Sequence, residues 1–135
     1  MNTENLWGNL PKIGNLKTPL HILKEQATAI THMTQGLLVG SVGSSSASFR
    51  PFTYELEIRA PALNDYTATI VRIGYDIGLY PVLLVGYQGA AGVSLPDEAA
   101  FVAKLAATLQ DEKVKGLISS LLVQSNALTG GGEAL

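Results

Sequence analysis

The sequence predicts an α+β domain: an N-terminal helix, a four-stranded antiparallel meander in the order 1-2-3-4, and two C-terminal helices. Apolar residues recur at helical spacing over 18–35 and again over 97–122, whereas the period changes to two between 37 and 87. Seven of the nine aromatics fall between 49 and 87, where strand formers concentrate. The connections between the four strand-like runs are short, which favours neighbouring antiparallel strands over parallel crossovers.

Thr18-Pro19 offers a hydroxyl N-cap followed by proline at the first helical position, and Gly36 offers a left-handed stop after Gln35. At 100° per residue, Leu20, Ile22, Leu23, Ala27, Ile30 and Met33 share one side, with Gln26 the one strongly polar residue among them. His21, Lys24, Glu25, Thr28 and His32 share the other side. Leu37 to Val42 reads as the first strand, followed by a Ser-rich turn at 43–48. Phe52 to Ala60 alternates cleanly, and Pro61 to Asp65 closes it with turn chemistry. Tyr66 to Tyr75 is a third strand, and Asp76 to Leu79 turns into a fourth, Tyr80 to Tyr87. That last run is apolar on both alternations, so it requires cover on both faces.

After a Gly-rich loop at 86–92, Ser94 or Asp97 caps a helix running to about Gln110. Its inward side is Phe101, Leu105 and Leu109, extended by Val102 and Ala106. Asp111 caps a last helix whose stripe is Val114, Leu117, Ile118, Leu121 and Leu122. Residues 1–17 read as an arm carrying Trp7, Leu10 and Ile13, 18–128 as a single domain, and 129–135 as a disordered tail. A helix followed by a four-stranded meander is the outline shared by cystatin-like and helix-grip domains. That resemblance is one of element order and implies no function.

A chain of 135 residues forms one domain and buries a core without staples. Only 15% of the residues are charged while 47% are hydrophobic, so the surface is hard to wet throughout, which leans towards a homo-oligomer or a protein partner. The net charge of −2 and scattered Lys and Arg exclude nucleic acid and anionic membrane surfaces as partners. No Cys is present, which removes disulfides, thiolate catalysis and Cys-based zinc sites. Met1 to Asn5 has neither a basic nor an apolar signal region, and no apolar run is long enough to span a bilayer. The expectation is a cytoplasmic protein.

If the turn at 76–79 has two central residues, Tyr75 faces Tyr80, Ile73 faces Val82 and Val71 faces Leu84. If the turn at 61–65 is centred near Leu63, Glu57 lies opposite Thr69 and Ile58 opposite Ala68. One sheet face is then a core of Tyr54, Leu56, Ile58, Ala68, Ile70, Leu83, Val85 and Tyr87, with Arg72 as its exception. The other is split: Thr53, Glu55, Glu57 and Arg59 are polar, whereas Val71, Ile73, Tyr75, Tyr80, Val82 and Leu84 form an apolar half. A helix of the same chain, a second subunit or a bound apolar ligand would cover that half.

No catalytic group or cofactor site stands out. The two histidines lie eleven residues apart on one helix, about 16 Å along its axis, too far to share a metal. His21 with Glu25 reads as a solvated i, i+4 pair. Glu55 and Glu57 share a strand face and could divide acid and base roles, but alternating Glu is also what a wet face requires. Gly86 to Gly92 follows a strand and precedes a helix, yet it is neither G-x-G-x-x-G nor a P-loop. The leading expectation is a small non-catalytic interaction or assembly domain. The alternative is a small-molecule-binding domain or enzyme with a pocket between helix and sheet, lined by Tyr54, Arg72 and Tyr87.

Overall fold

The computed structural model describes residues 5–11, 17–45, 50–89 and 91–129. Ile13 of the expected arm and residues 130–135 of the tail expected over 129–135 lie outside the described residues. In chain order the elements are α1 (Pro19–Met33), β1 (Val39–Ser44), β2 (Phe52–Ala60), β3 (Tyr66–Tyr75), β4 (Val82–Val85), β5 (Val93–Leu95), α2 (Glu98–Leu109) and α3 (Glu112–Leu128). Each helix begins where a side chain accepts an otherwise orphaned N–H of the first turn. The His21 amide donates to Thr18 Oγ1 at 3.0 Å, the Ala100 amide to Asp97 Oδ1 at 2.8 Å, and the Lys113 amide to Asp111 Oδ2 at 2.9 Å. α1 stops at Met33, short of the expected Gln35, because Gln35 and Gly36 both turn left-handed (φ +52° and +85°).

The strands form one antiparallel sheet in the order β1-β2-β3-β4-β5. The α+β outline and the meander are as the sequence predicts, with five strands where four were expected. β5 pairs Val82 with Leu95 and Leu83 with Ser94, so Ser94 is a strand residue and Asp97 is the cap of α2. Three residues are too few to display a period, which is why this strand reads as loop. β1 also lies two residues later than expected.

One extra residue reorganises the sheet. Glu57 pairs with Thr69 and Ile58 with Ala68, but Leu56 pairs with Val71, which leaves Ile70 as an inserted residue in β3. A one-residue insertion reverses the facing of everything beyond it. Val71, Ile73 and Tyr75 therefore join Leu56 and Tyr54 on one face, and Arg72 moves to the face of Glu55 and Glu57. The β3–β4 register is also corrected: Ile73 faces Leu84 and Gly74 faces Leu83, two residues from the expected pairing. A shift of two preserves facing, so it does not affect which side chains point inward.

All three helices cover that one face. Ile22, Leu23 and Ala27 of α1 and Phe101 and Leu105 of α2 pack on Leu56, Val71, Ile73, Tyr75, Val82 and Leu84. Val114 and Leu121 of α3 pack on Ile58, Ala60 and Ile70. Of the three covers expected for the apolar half, this chain's own helices supply it, with Tyr80 half-buried and its ring 6.5 Å from that of Phe101. Two side chains expected inward, Met33 and Val102, are exposed. No helix among the described residues is long and apolar enough to cross a membrane.

Candidate functional site

The position of α1 determines where the molecule opens. Gly40 of β1 lets the helix rest on bare backbone: a Cβ there would stand 2.4 Å from the Ala27 carbonyl oxygen and 2.6 Å from Ile30 Cγ2. The Gly40 amide donates to Thr31 Oγ1 at 2.8 Å, and that hydroxyl donates to the Ala27 carbonyl at 3.1 Å. At the next turn the Leu38 amide donates to Thr34 Oγ1 at 3.1 Å. α1 is therefore fastened over β1 at the sheet edge, while α2 and α3 stand over the rest of the sheet.

Between α1 and the α2–α3 pair a cleft of about 390 Å³ descends to the sheet. Leu56, Ile58 and Ile70 form its floor. Ala29, Ile30 and Met33 form one wall, and Ala106, Leu109, Val114 and Ile118 the other. The two alanines keep it wide, since a larger side chain at either position would bridge it. Gln26, Gln110 and Lys115 supply its polar side-chain groups. Gln26, the polar residue in the apolar arc of α1, thus belongs to a cleft lining.

The opposite sheet face carries the charges. Arg72 Nε donates to Glu55 Oε2 at 2.9 Å, and Arg59 donates to Asp65 at 2.7 Å. Burial pushes the Glu57 carboxyl above the ordinary Glu range, and the neighbouring Glu55 pushes it further. Glu55 is subject to the same desolvation, but hydrogen bonds from Arg72, Glu57 and Ser45 hold its carboxyl below that range. The two carboxyls are thus pushed apart, Glu57 upward and Glu55 downward. Both side chains stand on the sheet face opposite the helices.

Of the three residues expected to line a pocket, the structure brings two together. Arg72 and Tyr87 border a hollow of about 210 Å³ with Thr69 and the Gly86–Gly89 backbone, whereas Tyr54 is on the other face, its ring 6.2 Å from that of Tyr75. The Tyr80 hydroxyl is buried with no hydrogen-bond partner among the described residues, and burial pushes its pKa up to about 12, with Glu98 and Asp97 adding to the shift. His21 Nε2 lies 3.4 Å from Glu25, which also receives Lys17 at 3.0 Å, all on the exposed side of α1. Among the described residues no three His, Asp or Glu side chains are grouped to hold a metal. The cleft residues were visible to sequence reasoning only as ordinary helix faces, because its width depends on how far α1 sits from α2. No family model matches the chain, and no curated protein or solved structure matches it either.

Proposed function

We propose that this chain is a non-catalytic interaction domain that receives an apolar side chain of a protein partner in the cleft between α1 and the α2–α3 pair. The observation that carries this reading is the aliphatic lining of a cleft that reaches the sheet. Among the described residues Lys115 is the one ionisable side chain in that lining, which offers acid–base or nucleophilic chemistry no second group there. The titrating carboxylates lie on the far face of the sheet, beyond the reach of anything seated in the cleft.

A second reading, a small apolar molecule as occupant, draws on volume: small-ligand sites run from roughly 300 to 1,000 Å³. Such sites also place converging polar groups deep in the pocket, and here the floor is wholly aliphatic. The test is a titration of the labelled protein with N-acetyl-tryptophanamide, followed by amide shifts in nuclear magnetic resonance spectra. Saturable shifts centred on Ala29, Met33, Gln110 and Lys115, lost in Ala29→Glu, are the expected result. Shifts scattered over the surface, or none, would sink the cleft as a binding site. Saturable binding of decanoate without binding of the indole compound would move the assignment to the second reading.

A further inference from the structure

We infer that the occupant of the cleft is Trp7 of a second copy of this chain, the two copies exchanging N-terminal arms about a two-fold axis. This rests on the cleft being a binding site, as proposed above. The arm exposes Leu6 at 91%, Trp7 at 82% and Leu10 at 66%, three large apolar side chains within five residues. So dense an exposed apolar group marks a contact surface. Trp7 is held out by a local turn: its amide donates to Asn5 Oδ1 at 2.9 Å, and Asn5 Nδ2 donates to the Gly8 carbonyl at 3.2 Å. Gly8, at φ +69°, completes the turn in a conformation natural to glycine.

The sizes agree. A cavity of about 150 Å³ accommodates a benzene ring, so a cleft of about 390 Å³ takes an indole and part of a leucine beside it. The indole N–H needs an acceptor on burial, and the side-chain carbonyls of Gln26 and Gln110 offer two. Met33, 78% exposed at the cleft wall, gains an aromatic ring for its sulfur.

A second copy is the source because the chain's own arm stands away from its own cleft, as the exposure of all three side chains shows. Lys17, bonded to Glu25 at 3.0 Å, anchors the arm's inner end beside the first half of α1. The ten residues from Trp7 to Lys17 reach up to about 33 Å when extended, enough to cross to a neighbour. Exchange about a two-fold axis fills both clefts and covers both arms with one repeated contact, and it closes without leaving a free surface to propagate.

Trp7 is the only tryptophan, so its fluorescence reports its own burial. Emission and sedimentation velocity are measured on the full chain over a wide range of concentration. The expected result is a blue shift that rises together with the dimer fraction. Trp7→Ala, a change on an exposed arm that leaves the domain folded, should weaken dimerisation at least tenfold. Ala29→Glu should return Trp7 to solvent-like emission. Solvent-like emission at every concentration overturns the inference, as does a dimer that Trp7→Ala leaves intact. A blue-shifted monomer overturns it too, since the arm would then fill its own cleft. If monomeric Trp7→Ala protein still binds N-acetyl-tryptophanamide at Ala29 and Lys115, the cleft reading survives even where the exchange fails.

Discussion

Arg72 Nε donates a 2.9 Å hydrogen bond to Glu55 Oε2 across the β2–β3 pair, on the sheet face that no described helix covers. The bond exists because Ile70 is inserted between Thr69 and Val71. In an uninterrupted ladder Arg72 would point into the apolar layer, where an unpaired guanidinium is not tolerated. With the bulge, one inserted residue sends Arg72 to its carboxylate and delivers Val71, Ile73 and Tyr75 to the core.

Removing that cation should cost stability. Arg72→Met leaves Glu55, whose side chain is only 15% exposed, without its charged donor. Hydrogen bonds to charged groups contribute about 1.5–3 kcal/mol, and the 40% exposure of Arg72 puts the expected loss near the lower end. Urea unfolding measures it, and the Glu55 carboxyl should titrate at a higher pH in the variant. A variant as stable as the parent would mean that water replaces the guanidinium without loss.

The neighbouring Glu57 should make the fold less stable as pH rises. Its folded pKa lies above the ordinary value of 4.5, so the folded chain binds that proton more tightly than the unfolded chain. The resulting stabilisation is complete below the unfolded pKa and is lost as pH climbs through the raised folded pKa. Glu55 behaves in the opposite sense: its stabilisation is present above the unfolded pKa and fades as pH falls through its lowered folded value. Glu57→Gln should therefore melt higher than the parent at pH 7, with the difference shrinking as the pH drops through the raised folded pKa and gone below about 4.5. Melting curves of both proteins across that range decide it, and a gap independent of pH would remove the raised Glu57 pKa from the explanation.

Much of this architecture is legible in the residues. Thr18, Asp97 and Asp111 announce the helix starts because short polar side chains are what a first turn needs. Phe52 to Ala60 and Tyr66 to Tyr75 announce themselves by alternation, and their bounds match the strands. The bulge was legible too, in hindsight: Ile70 and Val71 are consecutive apolar residues in an otherwise alternating run, and Arg72 is misplaced without it. The cleft was not legible. Its existence follows from the close approach of α1 to Gly40 and from small residues, Ala29 and Ala106, in a lining that only three-dimensional placement assembles.

That contact gives a sharp test of what holds α1 at the sheet edge. Gly40→Ala places a methyl 2.4 Å from a backbone oxygen, which cannot rotate away as a side chain can. The helix must lift, weakening the Gly40–Thr31 hydrogen bond. Overpacking of this kind costs about 1–3 kcal/mol, and hydrogen exchange should quicken at Gly40 and Leu38 before it does in β3. Thr31→Val tests the same fastening from the other side, with an expected loss of about 1 kcal/mol for the orphaned amide. Unchanged exchange at Gly40 in both variants would show that apolar packing alone positions the helix.

Filling the cleft should separate stability from function. Ala106→Leu adds three carbons to a wall of the cleft, directed at a surface that is already aliphatic. Each buried methylene contributes about 0.8 kcal/mol, and the ordering of a leucine side chain returns about 0.5–1 kcal/mol of that. The balance is a gain of about 1.5 kcal/mol, read as a higher melting temperature. A cleft retained only as a packing flaw would lose nothing else by being filled. A cleft that receives a partner's side chain would lose its occupant, so the more stable protein should no longer bind N-acetyl-tryptophanamide at Ala29 and Lys115. Greater stability with binding intact would place the indole somewhere else on the molecule.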